Sequence, residues 1–200
     1  SGTVVDQGST SVGNMFWGRW FPGSPTPISV TDSLGATVSP VPGVPYIFGA
    51  LATSVPTSGT VTFAFAGGPS PVDASGNVGT ITSGGSLRVD FLARNVSMAS
   101  PLQFNIAGLS YNMTTLTPLS GIPGGPNYPA APAQPTISGT LSGICSGGTS
   151  CSTGTLAEGP VKASFTGATG AGLGIALATV ISTTNAPNVA LAAGYKCPSC

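Results

Sequence analysis

Cysteine is the residue type in this chain whose spacing most directly indicates chemistry. Cys145 and Cys151 form one close pair, and Cys197 and Cys200 form another. Two close pairs in a chain with little charge favour an oxidising compartment and two local disulfides, which is one of three possible connectivities. A four-cysteine zinc site, a redox pair and cross-links between subunits are the alternatives. Zinc motifs usually separate paired cysteines by fewer residues than the first pair does, so we predict disulfides and no metal.

Acid–base chemistry has few candidate residues. The 200 residues include five Lys or Arg, five Asp or Glu and no His. A Ser or Thr hydroxyl needs a base to act as a nucleophile, and without His the candidates are Lys162, Lys196 or a carboxylate. No Ser-x-x-Lys motif occurs. We therefore expect no enzymatic activity and no cofactor.

Two short segments have the spacing of ligand-binding loops. Asp73, Ser75 and Asn77 alternate as in a calcium loop, but they include one charge and no closing Glu follows them, so we predict a turn. The glycines of residues 170–174 lack the Lys and the helix of a phosphate loop. They indicate bends in a sheet instead.

Aromatic residues are concentrated in one short segment, MFWGRWF at residues 15–21, which contains Phe16, Trp17, Arg19, Trp20 and Phe21. Pro22 and Gly23 follow directly and predict that a strand ends there. Aromatic rings beside an arginine stack on sugars or bases, so a binding platform is one interpretation. The interpretation that we favour is a strand closing the core, with Arg19 paired to a carboxylate such as Asp90 or Glu158.

The low charge excludes several classes of protein. Charged residues make up 5% of the chain and the formal net charge is zero, against about 25% charged residues in an average soluble domain. Five scattered cations cannot supply the basic surface that nucleic-acid binding needs. No apolar stretch is long enough for a transmembrane helix. A surface with so little charge is solvated by hydroxyls or is covered by other copies of the chain.

The hydrophobic pattern predicts strands throughout. Val61, Phe63 and Phe65 alternate with polar or small residues, and residues 86–97 alternate in the same way with Arg88, Asp90 and Arg94 on one face. Ala107-Gly108 predicts a hairpin between residues 102–106 and 109–113. Five prolines within residues 121–135 predict a long irregular loop. We predict an all-β fold with a single antiparallel β-barrel of about eight strands (residues 15–193), an extended N-terminal arm (1–14), long Pro/Gly loops and a Cys-containing tail (194–200).

The order of the motifs resembles a known family. The motifs are FWGRW at residues 16–20, YIFG at 46–49, VPTSGTVTF at 55–63, LRVDF at 87–91, ASFTG at 163–167 and GAGLG at 170–174. Over roughly residues 14–192 this succession resembles the C-terminal β-barrel region of bacterial FecR-domain-containing proteins, which is similar to the barrel of transferrin-binding protein B. The resemblance implies a secreted or cell-surface barrel of eight strands from a Gram-negative bacterium, without catalytic residues.

Low charge, a separate arm and terminal cysteines together indicate a structural role. We expect a non-enzymatic extracellular protein that assembles with other copies of itself into a filament, sheath or surface layer. The arm would add as a strand to the sheet edge of a neighbour, with Val4, Val5 and Val12 filling pockets. The alternative is a monomeric surface barrel that binds a small apolar ligand or a protein partner.

Overall fold

The computed structural model describes residues 3–21, 28–31, 37–41, 43–50, 52–116, 137–167, 174–184 and 186–198. The regular elements in these residues are all strands, as the alternating pattern predicted. They are Thr3–Thr10 (β1), Met15–Phe21 (β2), Ile28–Thr31 (β3), Thr37–Val41 (β4), Val44–Gly49 (β5), Thr60–Gly67 (β6), Val72–Asp73 (β7), Thr80–Ser83 (β8), Ser86–Asp90 (β9), Asn95–Ser100 (β10), Leu102–Ile106 (β11), Leu109–Leu116 (β12), Ile137–Gly147 (β13), Cys151–Thr166 (β14), Gly174–Thr183 (β15) and Val189–Lys196 (β16).

The strands form three antiparallel sheets rather than one. The large sheet has eleven strands in the order β10-β9-β6-β16-β15-β14-β13-β12-β11-β8, with β7 pairing to β16. A second sheet has the order β1-β2-β5, and β3 pairs with β4. The aromatic segment at residues 15–21 is therefore the central strand of a small separate sheet. No helix long and apolar enough to cross a membrane occurs in the described residues.

The two ends of the large sheet are joined by one bent hairpin. Only Gly84 and Gly85 separate β8 from β9, and only Pro101 separates β10 from β11. β9 pairs with β10 at one end of the sheet, and β8 pairs with β11 at the other. Gly85 has a φ of 64°, which glycine adopts at little cost, and the Tyr195 hydroxyl donates a hydrogen bond of 3.0 Å to the Gly84 carbonyl. The bend therefore brings the first and last strands of the sheet together.

Aromatic side chains fill the inside of the large sheet. Phe165 packs against Phe63 at 6.2 Å and against Phe91 at 5.9 Å between ring centroids. Phe104 stacks on Tyr111 at 4.6 Å. These five rings are buried in one continuous core, so the inward-facing alternation predicted for Phe63 is confirmed.

The predicted strand over residues 86–97 is wrong in its length. β9 ends at Asp90, and residues 91–94 form a turn before β10 begins. The Asp90 carboxylate accepts a hydrogen bond of 2.8 Å from the Ala93 amide, and Arg94 has a φ of 56°. A side chain that satisfies the turn backbone in this way competes with strand pairing. Arg94 consequently does not share a strand face with Arg88 and Asp90.

Other local expectations are confirmed where the described residues include them. Ala107 and Gly108 form a two-residue hairpin loop with φ values of 50° and 78°, the signs that a type I′ turn requires. Cys145 and Cys151 form a disulfide between β13 and β14. Cys197 is also disulfide-bonded. Cys200 and the proline-rich loop at 121–135 lie outside the described residues.

Two buried tyrosines provide a matched test of the core. Burial raises the pKa of both Tyr111 and Tyr195, and Asp73 raises the Tyr111 pKa further. Their ordinary pKa is 10.0, so above that pH the unfolded chain loses protons that the folded chain keeps, and stability falls as pH rises. Among the described residues the Tyr111 hydroxyl has no hydrogen-bond partner, whereas the Tyr195 hydroxyl donates to Gly84.

We therefore expect opposite effects of one substitution at the two positions. At pH 7, Tyr195→Phe lowers the free energy of unfolding by about 1 kcal/mol and Tyr111→Phe raises it by about 1 kcal/mol. Each substitution also removes one tyrosine with a raised pKa. Above pH 10 the free energy of unfolding of both variants therefore falls less steeply with pH than that of the parent, and urea unfolding at several pH values from 7 to 11 measures this slope. Equal effects of the two substitutions at pH 7 would contradict this account of the core.

Candidate assembly surface

The strand β2 divides its aromatic residues between two faces. Because successive side chains of a strand point to opposite sides, Trp17 and Arg19 lie on one face with Met15, and Phe16 and Trp20 lie on the other. The first face covers the large sheet, since Met15 and Trp17 contact its glycines. The segment predicted as a single cluster is thus half interior and half surface.

The inner face is fixed by Trp17. A Cβ added at Gly8 of β1 would lie 2.6 Å from the Trp17 indole nitrogen. On the other side, a Cβ added at Gly67 of β6 would overlap the indole ring. Real Cβ atoms do not approach other atoms so closely, so the indole occupies a slot that exists because both residues are glycine. Met15 is fully buried and makes similar contacts at Gly174.

The outer face carries aromatic rings in contact with one another. Phe16 and Phe48 are cross-strand neighbours whose centroids are 5.5 Å apart, and Phe48 stacks on Tyr46 at 6.0 Å. Gly18 leaves room for the Tyr46 ring and for Val4, since a Cβ there would lie 2.6 Å from the Tyr46 hydroxyl oxygen. We call this surface the aromatic face; its residues are Val4, Phe16, Trp20, Tyr46 and Phe48.

The aromatic face is open to solvent. Phe16 is 45% exposed, Phe48 57% and Val4 43%. A depression of about 360 Å³ runs beside these rings, lined by Gln7, Gly8 and Ser9 of β1, Phe16 and Trp17 of β2, and Tyr46 and Phe48 of β5. None of these residues is charged. A contiguous apolar surface of this kind is typical of an interaction site.

Arg19 does not belong to the aromatic face. Its Nε donates a hydrogen bond of 2.8 Å to the Asp6 carboxylate, and its side chain is 11% exposed. The expected partners Asp90 and Glu158 are therefore wrong: the carboxylate comes from the neighbouring strand β1. Asp6 has a φ of 53° and lies where the register of β1 and β2 shifts, so the bulge aims the carboxylate at Arg19. The binding platform considered from the sequence, with Arg19 beside the aromatic rings, is therefore not formed by Phe16 and Trp20, since Arg19 lies on the opposite face of β2.

The N-terminal arm pairs with its own chain. Residues 3–10 form β1, the edge strand next to β2, and within the described residues no strand pairs with the other side of β1. Val4 is exposed on the aromatic face, and Val5 is half-buried. Val12 is half-buried in the turn that leads into β2. One of the three valines predicted to fill pockets on a neighbour is therefore freely exposed.

The candidate calcium loop at residues 73–77 forms a turn, as predicted, whereas residues 170–173 of the glycine segment lie outside the described residues. The Asp73 carboxylate accepts hydrogen bonds from the Ser75 amide at 2.9 Å and the Asn77 amide at 2.8 Å, and from the Asn77 side-chain nitrogen at 2.7 Å. Asp73 itself is buried. In the part of the chain that the structure describes, no group of three His, Cys, Asp or Glu side chains converges as metal ligands do.

Sequence reasoning missed a second exposed apolar surface. Ile144 of β13 and Leu156 of β14 are cross-strand neighbours, and they are 45% and 57% exposed. Ile137, Leu141 and Cys145 of the same strand are buried. Because side chains alternate along a strand, Ile144 lies on the opposite face from this inward-facing series. The sequence alone could therefore have indicated that Ile144 faces outward.

Comparison with protein-family models, with curated proteins and with solved structures found no match.

The Trp17 slot leads to a testable difference between two glycines. Gly67 (φ 148°) faces the indole, whereas Gly59 (φ 91°) has no atom within 4 Å of an added Cβ. Both Ala substitutions strain the backbone, but only Gly67→Ala overfills a packed site, so we expect it to cost about 2 kcal/mol more in urea unfolding. In a Trp20→Phe background, Gly67→Ala should also shift the Trp17 emission to longer wavelength. Equal losses for the two variants would show that the slot does not hold the small sheet.

Proposed function

We propose that this chain is a non-enzymatic, secreted structural protein that assembles with copies of itself into an extracellular filament, sheath or surface layer. The observation that carries the proposal is the aromatic face, which is exposed beside an edge strand on a chain with almost no charge. The small sheet of β1, β2 and β5 is the assembly surface in this proposal.

The lack of charge supports contact between identical copies. Identical molecules with a large net charge repel one another, and soluble monomers usually rely on this effect. The formal net charge here is zero. The apolar rings of the aromatic face lose contact with water when a second copy covers them, which is favourable in free energy.

The edge strand β1 supplies the main-chain part of the contact. An unpaired edge offers amide and carbonyl groups to a strand of another chain. Val4 lies on this edge and belongs to the aromatic face, so strand addition and ring burial occur together in the proposed contact. The bulge at Asp6 limits the paired length.

We further propose that the large sheet is an eight-stranded barrel. If β8 and β9 are counted as one bent strand, and β10 and β11 as another, the ring consists of these two with β12, β13, β14, β15, β16 and β6. The hairpin bend at Gly84-Gly85 supports this count, since it joins the two ends of the hydrogen-bonded order. The resemblance to the barrel region of FecR-domain-containing proteins stays a prediction.

An extracellular location agrees with the Cys145–Cys151 disulfide, because disulfides persist in oxidising compartments. The alternative of a barrel that holds a small apolar ligand is less well supported. Phe63, Phe104, Tyr111, Phe165 and Tyr195 are buried among the residues of the core, so aromatic side chains occupy the space that a ligand would need.

Two valines of similar exposure test the assembly surface. Val4 is 43% exposed on the aromatic face, and Val78 is 49% exposed elsewhere. A lysine on a sheet edge opposes the addition of another strand, so we expect Val4→Lys to reduce the mass measured by light scattering to that of one chain. Val78→Lys should assemble as the parent does. If the mass of Val4→Lys rises with protein concentration as the mass of the parent does, the β1 edge is not the contact.

A further inference from the structure

Proline recurs at every third position in the segment that connects β12 to β13. The five residues are Pro123, Pro126, Pro129, Pro132 and Pro135, and no side chain of residues 121–136 is charged. We call residues 123–135 the proline repeat; it lies outside the described residues, so its spacing is a property of the sequence. A polyproline II helix has three residues per turn. Prolines at this spacing share one edge in that conformation.

The chemistry of such a segment determines what can bind it. Proline has no amide hydrogen, so a segment with proline at every third position cannot be added to a sheet edge as a regular strand. The polyproline II conformation has no internal hydrogen bonds and leaves its carbonyl groups free to accept them. Proteins recognise proline-rich segments of this spacing in grooves lined by aromatic rings. A binding site for the repeat therefore needs aromatic rings and hydrogen-bond donors.

The depression beside the aromatic face, which we call the groove, has both features. The rings of Phe16, Trp17, Tyr46 and Phe48 line it, together with Gln7 on its β1 side. The amide of Gln7 and the hydroxyl of Tyr46 are groups that can donate hydrogen bonds to carbonyl oxygens. None of the lining residues is charged, so a neutral repeat can cover the groove without removing a charge from water.

The proline repeat is attached at the end of the large sheet that carries the small sheet. β13 begins at Ile137, which pairs with Ala163 of β14. Three residues further along β14 is Thr166, against which Gly49 of β5 lies. Antiparallel neighbours need only about two to five residues to connect them, whereas residues 117–136 connect β12 to β13. The connection therefore has surplus length with which to reach another copy that approaches the small sheet.

We propose that the groove of one copy binds the proline repeat of another copy. The inference rests on the proposed self-assembly and names the segment that covers the aromatic rings. The register of β1 shifts between Val5 and Gly8, which separates the groove from Val4, so strand addition beside Val4 and docking of the repeat use different parts of β1. Groove and repeat are two different surfaces, and such a contact extends into a filament when the rotation between copies does not close a ring.

A synthetic peptide with the sequence of residues 121–136 tests the groove. The receptor is the full chain with Trp20→Phe, which leaves Trp17 as its one indole, at a concentration where the chain is monomeric. The peptide should move the Trp17 emission to shorter wavelength, because the docked repeat excludes water from the half-buried indole. A peptide of the same composition, in which the prolines do not recur at every third position, should bind at least about tenfold more weakly.

Two substitutions in the receptor locate the peptide. Phe48→Ser removes a ring from the groove and should weaken peptide binding at least about tenfold. Leu92→Ser is the matched control, since Leu92 is 76% exposed in the turn between β9 and β10, and it should bind the peptide as the parent does. The thermal transition of each variant shows that it is folded, and the comparison of the two peptides needs no variant of the groove.

The full chain without its repeat tests the contact between copies. The triple variant Pro126→Ala, Pro129→Ala and Pro132→Ala should need a protein concentration at least about tenfold higher than the parent to assemble, as measured by light scattering. It should still bind the free peptide, because its groove is intact. A mixture of this variant with Phe48→Ser should form complexes at a lower concentration than either alone, since one supplies the groove and the other the repeat.

The possible results separate this inference from the proposed function. If both peptides bind equally well, or if maltohexaose shifts the Trp17 emission and neither peptide does, the groove does not recognise the repeat and the inference is wrong. If the triple variant assembles at the same concentrations as the parent, another segment covers the rings, and the proposed self-assembly stands without this contact. If the parent is monomeric at every concentration, the self-assembly and the contact between copies both fail, even where the peptide binds.

Discussion

The position of the Trp17 indole between Gly8 and Gly67 determines which surface this molecule presents. The contact requires the absence of side chains on both sides of the ring, so it fixes the small sheet against the large one at a single register. Because residues alternate along β2, directing Trp17 toward the large sheet places Phe16 and Trp20 on the opposite face. The aromatic face is thus a consequence of interior packing.

The same alternation operates on the large sheet with a different result. There the inward positions of β6, β9 and β13 hold aromatic and aliphatic residues, and the outward positions are mostly hydroxyls and small residues. Ile144 and Leu156 depart from that pattern on neighbouring strands. The chain has only ten charged side chains in 200 residues. Charge repulsion between molecules therefore does little to keep another copy away from these two exposed apolar residues. The proposed assembly would account for both the low charge and the two exposed apolar surfaces.

Much of the fold could be predicted from local pattern. The period-two alternation indicated β6, Ala107-Gly108 indicated a hairpin, and the spacing of Cys145 and Cys151 indicated their disulfide, because each depends on residues close in sequence. The end of β9 at Asp90 depends on a side chain bonding the turn backbone, which alternation does not reveal. The Arg19 partner and the split of the aromatic segment between two faces depend on how separate sheets pack. Tertiary contacts of that kind leave little local signal.

Sedimentation velocity of the unmodified chain, with its disulfides intact, tests the central claim most directly. The account predicts that the weight-average sedimentation coefficient rises steadily with protein concentration, as expected for addition of identical copies one at a time. A single boundary with the mass of one chain over the whole concentration range would contradict it. The aromatic face would then have to serve another partner.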